Sequence, residues 1–449
     1  MNAERASLFS DEPVRKAVLT LAIPTVISQL ITVVYNMADT FFIGKLNDPL
    51  QVAAATIVMP CFMLLTGFAN LFGLGGSSLI SRCLGMADRV KARHCAAFCI
   101  WTGAVAALLY GIAVVLLEPV LFPILGASGD TWEYCQQYAF WTIGVGAVPT
   151  VMNAELAHLI RAEGYSKPAG FGVAFGGILN IILDPIFIFV FHLNIAGAAI
   201  ATMLSNLIAM GYFLGFLYHI RKNTVITPNP KEFSLGHHIP GEVLSVGLPG
   251  FVMTMMSTIS NAALNHMVAG YSDTAIAGMG IAKKIDLLAY AIAQGMTQGT
   301  LPLIGYNYTS GNHKRMKAAI KTAFAYSFLV ACVGAVLLWT LAVPISRCFI
   351  ADTETVSYGQ HFLKIICLAC PTTAVNFMVI TVFQAIGKKI QPLCLSLLRK
   401  GSLDVVFMLI LNSAVGVSGI AWATPFADWI AFVISITLIV PQLRQLKSE

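Results

Sequence analysis

The 449-residue sequence contains few charged residues. Only 11% of the residues are Asp, Glu, Lys or Arg, whereas 57% are hydrophobic, and the mean hydropathy is +0.78. This composition excludes a soluble globular protein of this length and is typical of a polytopic membrane protein. The residues before Ala17 are polar, so we expect no cleavable signal peptide, and the first apolar segment serves as both signal and anchor.

Motifs of membrane-embedded enzymes are also absent from the sequence. It contains no HExxH, GxGD or DDxxD motif and no recognisable Ser/His/Asp set. The ten cysteines lie singly in apolar segments, and the close pair Cys367 and Cys370 lacks a second ligand pair. We interpret the cysteines as small core residues, not as metal ligands or disulfides. We therefore expect neither an enzyme nor a cofactor.

Twelve apolar segments are long enough to cross a bilayer, which takes about 20 residues of helix. Gly and Pro within several of them are compatible with membrane helices, because neighbouring helices satisfy the freed backbone groups. The sequence predicts an all-α polytopic membrane protein with twelve transmembrane helices. The predicted segments are 17–43, 52–80, 95–118, 133–161, 168–191, 196–220, 241–269, 275–305, 318–343, 355–385, 391–413 and 418–442.

The basic residues are distributed unevenly around these segments. Of the 27 Lys and Arg residues, all but five fall in the tails and the even-numbered connections, among them Arg161, Arg399, Lys400 and Lys447. By the positive-inside rule this side is cytoplasmic, so both termini are predicted to be inside. This clustering explains the net charge of +6 without a nucleic-acid partner. The five exceptions are Lys45, Lys283, Lys284, Arg347 and Lys364.

The two halves of the chain resemble each other at offsets between 222 and 226 residues. Each half contains six segments, an even number, so both enter the membrane in the same direction as parallel repeats. Such an arrangement predicts a central cavity between two six-helix lobes and alternating access by rocking. The matching stretches are Leu21–Pro24 with Val246–Pro249, Leu79–Ile80 with Leu303–Ile304, Arg161–Gly164 with Gln384–Gly387, and Gly197–Thr202 with Gly419–Thr424.

A polar segment separates the two halves. Residues 221–240 contain three prolines and are the longest polar stretch inside the chain. We therefore predict an amino-terminal lobe at 1–220, a cytoplasmic linker at 221–240 and a carboxy-terminal lobe at 241–449.

The fifth segment contains an unusual polar group, Asn180 and Asp184 followed by Pro185. An ionised Asp near the bilayer centre costs from about 2.5 kcal/mol upward, so such residues usually face a cavity and have a function. Asn180 lies one turn before Asp184, and Pro185 leaves the carbonyl of Ile181 without its helical partner. These oxygens suit a hard cation or a proton. The alternative is a kinked helix whose Asp pairs with a neighbouring helix.

The first segment has a polar stripe with helical spacing. Gln29, Thr32, Asn36 and Asp39 recur every three or four residues, with Tyr35 beside them. A stripe inside a membrane must face protein or water, and helix–helix hydrogen bonding is the simpler alternative to a functional site. Two buried carboxylates sharing a site, Asp39 with Asp184, cannot both stay ionised cheaply and should bind a cation or hold a proton.

These residues resemble a known family. The stretches Tyr35–Asp39, Arg161–Gly164 and Leu179–Phe189, within twelve segments, are similar to the multidrug and toxic compound extrusion (MATE) transporters. Leu71–Gly76 and Ile80–Arg82 are most similar to the MepA-like bacterial branch. The resemblance implies an antiporter in a bacterial cell membrane that exports amphiphilic, mostly cationic drugs or toxins from the cytoplasm by alternating access, in exchange for protons or sodium ions.

The resemblance also implies specific roles for residues of the amino-terminal lobe. The family's cation site would consist of Asp39, Asn180, Asp184 and Thr202, with Na⁺ as the only metal ion expected there. Pro24 and Pro185 are the predicted bending points. The carboxy-terminal segments 241–269 and 355–385 have only His266 and Lys364 well inside, so coupling is expected in the amino-terminal lobe alone. By the repeat, the counterparts of Asn180, Asp184 and Asp39 are Leu403, Phe407 and Leu264.

Other polar or adaptable residues are candidates for the substrate cavity. We expect the protein to act as a monomer in the bilayer, with small molecules as partners and no nucleic acid. Glu155 with His158 is interpreted either as a stabilising pair or as a drug contact, and Asp286 is predicted to pair with Lys283. Asp428 and Asn206 are expected to serve helix packing. The cavity candidates are Gln29, Tyr35, Asn36, Asn153, Met256 and Asn261.

Two other functions remain open at this stage. A lipid-linked oligosaccharide flippase of the same superfamily would require a strongly cationic cavity, and the apolar segments contain little deep Lys or Arg. A membrane-embedded enzyme is disfavoured by the missing motifs.

Overall fold

The computed structural model describes residues 3–350 and 352–445, and all twelve predicted segments are helical in it. The prediction of an all-α membrane protein is confirmed. The helices of the amino-terminal half are α1 (Ala3–Ser10), α2 (Val14–Gly44), α3 (Pro49–Gly85), α4 (Arg89–Leu125), α5 (Gly129–Ala139), α6 (Ala147–Ala162), α7 (Ser166–Pro185) and α8 (Asn194–His219). Those of the carboxy-terminal half are α9 (Ile239–Val268), α10 (Asp273–Thr309), α11 (His313–Thr340), α12 (Ala342–Phe349), α13 (Thr353–Ile366), α14 (Cys370–Ala385), α15 (Ile390–Leu397), α16 (Asp404–Val415) and α17 (Val417–Gln445).

Four of the twelve segments are not single regular helices. Three contain a π-helical stretch, at Phe140–Val145, Ile186–Val190 and Leu398–Leu403, and the fourth has a 3₁₀ turn between α13 and α14. Among the described residues, nine helices are long and apolar enough to span a membrane, and the pair α5 and α6, bent by 48°, gives a tenth. The other two segments are α10, which is more polar, and α15 with α16, which are interrupted by their π-helical stretch.

The two halves pack together mainly through α3 against α9 and α2 against α10. These two crossings are equivalent in the repeat, since α2 corresponds to α9 and α3 to α10. Both crossings depend on glycine. A Cβ atom on Gly247 would lie 1.8 Å from the carbonyl oxygen of Leu71, and one on Gly299 would lie 2.6 Å from the Cα of Ala22. The backbones are therefore in direct contact, with no room for a side chain between them.

This junction lies toward one end of the molecule, where α2 begins and α3 ends. We call it the basic end, because Arg15, Arg82 and Lys91 lie there. The Ser78 hydroxyl donates to the carbonyl of Gln384 at 2.5 Å, and the Thr309 hydroxyl donates to the carbonyl of Arg82 at 2.7 Å. The halves are thus joined by hydrogen bonds as well as by close backbone packing.

The short helix α1 contacts both halves at the basic end. The carbonyl of Phe9 accepts hydrogen bonds from Arg315 Nε at 2.7 Å and from Asn307 Nδ2 at 3.1 Å, both in the carboxy-terminal half. The Phe9 ring stacks on Tyr306, with centroids 5.1 Å apart. On its other side, the ring lies against Gly164 of the amino-terminal half, where a Cβ would be 3.0 Å away. A single apolar side chain therefore connects the two halves.

The polar segment between the halves packs on the amino-terminal half. The buried Glu163 carboxylate accepts hydrogen bonds from the backbone N–H of Val225 at 2.7 Å and from the Thr224 hydroxyl. Burial raises the pKa of the Glu163 carboxyl, and these two hydrogen bonds oppose that shift. Trp101 Nε1 also donates to the carbonyl of Pro228 at 3.1 Å. The segment is therefore an ordered part of the structure despite its polar composition.

The structure corrects two interpretations of the sequence. Arg161, Arg399 and Lys400, which were assigned to polar connections, lie inside helical segments, and both arginines are buried. Lys447 lies outside the described residues. The ten cysteines are free thiols, and not all of them are core residues: Cys348 and Cys394 are exposed.

Candidate functional site

The predicted cation-site residues meet where α7 packs between α2 and α8. Small residues allow this close approach. A Cβ on Gly177 would lie 2.9 Å from the ring of Tyr35 on α2. A Cβ on Gly197, near the start of α8, would lie 2.7 Å from the backbone of Phe187. The glycines of these helices therefore position the polar residues within reach of one another.

Asn180 is at the centre of the site. Its Nδ2 donates to Asp184 Oδ1 and to Thr202 Oγ1, both at 3.2 Å. Asn180 is 1% exposed and Asp184 is fully buried. Three further acceptors, Asn180 Oδ1, Asp184 Oδ2 and Asp39 Oδ1, are buried without a hydrogen-bond partner among the described residues. Buried polar atoms normally have partners, so acceptors left together without a donor suit a bound cation or proton.

Asp39 joins this cluster from α2. It lies within electrostatic range of Asp184 and of Tyr35. Two carboxylates this close in a membrane interior cannot both remain ionised without a neutralising charge. The structure therefore brings Asp39, Asn180, Asp184 and Thr202 together in one group.

Tyr138 is a member of this group that sequence reasoning missed. It lies on α5, is 7% exposed, and is within electrostatic range of Asp39, Asp184 and Tyr35. A lone tyrosine in the polar part of a segment carries no signal of its own. Only the packing of α5 against α3 and α8 brings it to the site.

The two predicted bending points look different from each other. Helix α2 runs without interruption across Pro24, where the carbonyl oxygen would lie 2.6 Å from a Cβ on Gly170. After Pro185, the chain continues as the π-helical stretch Ile186–Val190, whose hydrogen bonds are spaced differently from those of an α-helix. The sharp bend of 48° lies elsewhere, at the break around Gly146.

The substrate-cavity candidates fall into several environments. Gln29 donates to Gln298 Oε1 at 2.8 Å, across the junction between the halves. Asn153 donates to Asn206 Oδ1 at 2.8 Å, and Asn36 donates to the carbonyl of Thr32 at 2.9 Å.

The other candidates are placed by packing. Tyr35 lies beside the cation site. Met256 packs against Gly401, where a Cβ would lie 2.5 Å from its sulfur, and Asn261 is exposed.

Glu155 and His158 do not form a stabilising pair with each other, which was one of the two interpretations of these residues. Glu155 is fully buried, and neither of its oxygens has a hydrogen-bond partner among the described residues. It faces Gly103 on α4, whereas His158 packs on Gly73 of α3. Residues three apart on a helix differ in direction by about 60°, and here that difference is enough to direct them to two different packing partners.

Buried charge is not confined to the amino-terminal half. In the carboxy-terminal half, Arg399 is 2% exposed and forms an ion pair with the buried Asp428, and Lys400 Nζ lies 3.7 Å from Asp404 Oδ2. These basic residues lie deep inside a helical segment. The argument against a flippase that the apolar segments contain little deep Lys or Arg is therefore wrong. Each has a carboxylate partner, however, so they do not form the strongly cationic cavity that a flippase would require.

The predicted pair of Asp286 with Lys283 is also absent among the described residues. Lys283 Nζ donates to Thr424 Oγ1 at 3.1 Å, and Asp286 lines a cavity instead. Asp428 and Asn206 do connect helices, as expected: Asn153 of α6 donates to Asn206 of α8, and Asn376 of α14 donates to Asp428 of α17 at 3.3 Å.

Comparison with known proteins identifies the family. The MatE family model matches residues 24–186 and again residues 249–410, once in each half. The multidrug export protein MepA of Staphylococcus saprophyticus is 29% identical over 99% of this chain and 97% of the relative. An outward-facing structure of a multidrug resistance MATE family transporter of the MOP superfamily is 24% identical, with a TM-score of 0.91 and full coverage of both chains.

A second solved structure, of MATE in the bent conformation, is 25% identical with a TM-score of 0.87 and covers 100% of this chain and 99% of its own. The double match of the family model agrees with the sequence repeat and with the equivalent crossings of α2 with α10 and α3 with α9. The chain therefore belongs to the MatE family and is a multi-pass membrane transporter, not an enzyme.

Proposed function

We propose that this transporter exports amphiphilic, mostly cationic drugs or toxins from the cytoplasm in exchange for protons or sodium ions. The observation that carries the proposal is the cluster of three buried, unpartnered acceptors on Asp39, Asn180 and Asp184. The name of its relatives, multidrug export protein, supports the substrate class. No cofactor is needed in this scheme, because the cation gradient supplies the free energy.

The Asp39 and Asp184 carboxylates are the coupling element in this proposal. With the cavity open to the outside, the pair loads a proton or a sodium ion, and Thr202 adds a hydroxyl oxygen for a sodium ion. Neutralising the pair removes the repulsion between α2 and α7. The inside-negative membrane potential then favours inward release by about 2.3 kcal/mol per charge per 100 mV.

Bending of α2 links this event to the drug in the proposed mechanism. Once the carboxylates are neutral, α2 bends at Pro24 and α7 adjusts at Pro185, so the cavity of the amino-terminal lobe narrows and the drug leaves outward. That a MATE protein has been solved in both straight and bent conformations supports such a motion. The uneven distribution of basic residues supports a cytoplasmic basic end, with both termini inside.

Substitution of the two carboxylates tests the proposal. Asp39→Asn and Asp184→Asn should each abolish uptake of a fluorescent cationic dye into inverted membrane vesicles without changing the amount of protein in the membrane. Asp130→Asn, which changes an exposed carboxylate on α5, is the control and should transport normally. Imposing the pH and sodium gradients separately identifies the coupling ion. Normal driven uptake by either site variant would contradict the proposal.

A further inference from the structure

The carboxy-terminal half contains a polar cavity that the cation site does not use. It lies between α10, α11, α14, α17 and the π-helical stretch Leu398–Leu403. The space inside would hold a few water molecules or one small polar group, too little for a bulky drug. Its charged and hydroxyl lining consists of Asp286, Tyr290, Ser327, Thr373, Arg399, Lys400, Thr424 and Asp428.

The repeat relates this cavity to the cation site. Thr424 corresponds to Thr202 in the repeat. Thr202 is hydrogen-bonded to Asn180 at 3.2 Å, and Thr424 is hydrogen-bonded to Asp404 Oδ1 at 3.3 Å. The counterpart of Asn180 is therefore Asp404, not Leu403. The π-helical stretch just before Asp404 accommodates the additional residue and shifts the offset from 223 to 224.

This register leaves the carboxy-terminal half without the two cation-site carboxylates. The counterpart of Asp184 becomes Met408, which is fully buried, and the counterpart of Asp39 is Leu264, which is 3% exposed. Two of the four cation-site residues therefore have apolar equivalents.

The carboxylates that remain near the cavity are mostly satisfied by the protein itself. Asp404 accepts hydrogen bonds from the Ser260 hydroxyl at 2.6 Å and from Thr424. Asp428 is bound by Arg399, by the Thr373 hydroxyl at 2.7 Å and by Asn376. An exchangeable cation has no equivalent place to bind here.

Two buried hydrogen-bond donors of this cavity have no acceptor among the described residues. Arg399 Nη1 is buried without an acceptor among the described residues, and the buried Ser327 hydroxyl is also unpartnered. The ammonium of Lys400 has Asp404 at 3.7 Å as its ion-pair partner, which is longer than a hydrogen bond. The opposing group is the Asp286 carboxylate, which makes no hydrogen bond or ion pair within the described chain. The buried unpartnered atoms of the amino-terminal site are thus acceptors, whereas those of this cavity are the donors Arg399 Nη1 and Ser327 Oγ.

We infer that this cavity binds a small anionic group, through Arg399 Nη1 and the Lys400 ammonium. A guanidinium and an ammonium form their strongest hydrogen bonds with anionic oxygen, and an acceptor for Arg399 Nη1 removes the penalty of an unmatched buried donor. The group is either a small inorganic anion or the carboxylate of a zwitterionic substrate. The inference goes beyond the proposed cation-coupled export and does not depend on it.

Binding can be measured on the purified protein without any gradient. Thermal unfolding is followed while chloride or acetate is added, with gluconate as an anion too bulky for the cavity. We expect saturable stabilisation by at least one of the small anions. Lys400→Met should weaken that affinity by at least about tenfold, since a charged hydrogen-bond donor is lost.

Lys400 is the better residue to change. Without Lys400, Asp404 still accepts hydrogen bonds from the hydroxyls of Ser260 and Thr424. Without Arg399, the buried Asp428 would lose its charge partner. Lys284→Met, at an exposed position on α10, is the matched control and should keep normal affinity. Asp286→Asn removes the opposing charge and should tighten binding. The unfolding midpoint of each variant without anion shows that it has folded. No stabilisation by chloride or acetate, or equal affinities for wild type and Lys400→Met, would overturn the inference.

A transport measurement distinguishes the two sources of the anion. If the group belongs to the substrate, Lys400→Met should lower transport of a carboxylate-bearing cationic dye more than transport of its methyl ester. An equal effect on acid and ester, together with chloride-dependent stabilisation, assigns the cavity to an inorganic anion. Asp184→Asn should keep anion binding, so a failure of cation coupling and a failure of anion binding give different results.

Discussion

Glu242, near the start of α9, forms an ion pair with Lys91 of α4, with Nζ and Oε1 2.7 Å apart. Arg82 Nη2, at the end of α3, lies 3.2 Å from the other oxygen of the same carboxylate. One acidic residue of the carboxy-terminal half thus binds two basic residues of the amino-terminal half. All three side chains are largely but not fully buried, so each pair is expected to contribute up to about 1 kcal/mol.

Glu242→Gln should weaken the junction between the halves at the basic end. A loss of about 1 kcal/mol shifts a two-state equilibrium by roughly fivefold toward the conformation in which this end is open. Spin labels placed on the basic ends of α3 and α9 in a cysteine-depleted background would report the two populations. The matched control is Glu232→Gln, because Glu232 pairs with Arg93 and His94 of α4 and does not connect to a helix of the other half. An unchanged distance distribution in Glu242→Gln would rule out this role.

Gly247→Ala should destabilise the crossing of α3 and α9. The added methyl group would lie 1.8 Å from the carbonyl oxygen of Leu71, so the two backbones must separate. Overpacking of this kind costs about 1–3 kcal/mol. The change should lower the thermal unfolding midpoint. Gly215→Ala on α8, where nothing lies within 4 Å of the new Cβ, should leave the midpoint unchanged or raise it slightly. Equal midpoints for the two variants would show that the backbones can separate at no cost.

Tyr138→Phe should weaken the response to the coupling cation without preventing transport. The substitution removes a hydroxyl beside Asp39 and Asp184 but keeps the ring. We expect this hydroxyl to form a hydrogen bond to one of the carboxylates when the cation is bound. Such a bond contributes about 1.5–3 kcal/mol, so the cation concentration at half-maximal transport should rise about tenfold or more. Transport titrated with the cation gives this value, and Tyr326→Phe in the other half serves as the control. A titration curve like that of the wild type would place the Tyr138 hydroxyl outside the coupling site.

The cation site could be predicted from local patterns because burying carboxylates in a membrane costs free energy. Asp39 and Asp184 stand out among apolar residues, and Asn180 follows helical spacing. Tyr138 could not be predicted, because an aromatic residue with one hydroxyl is common in any segment. Its place beside the two carboxylates depends on how α5 packs against α3 and α8.

The charged residues around the cavity of the carboxy-terminal half were not predicted, for a different physical reason. Arg399 and Lys400 looked like loop residues because basic residues usually flank membrane helices. Their partners, Asp428 and Asp404, become visible only once α17 and α16 are placed around them. The register was also one residue off, because a π-helical stretch changes the offset of the repeat without leaving a mark in the residue pattern.

The helix α1 restricts how the two lobes can rock. Its Phe9 carbonyl is held by Arg315 and Asn307, while its ring rests on Gly164 of the opposite lobe. Any motion that opens the basic end must slide this ring along one of its two surfaces or pull the carbonyl away from the guanidinium. Breaking these contacts of the amino-terminal segment is therefore part of the free-energy barrier to opening the basic end.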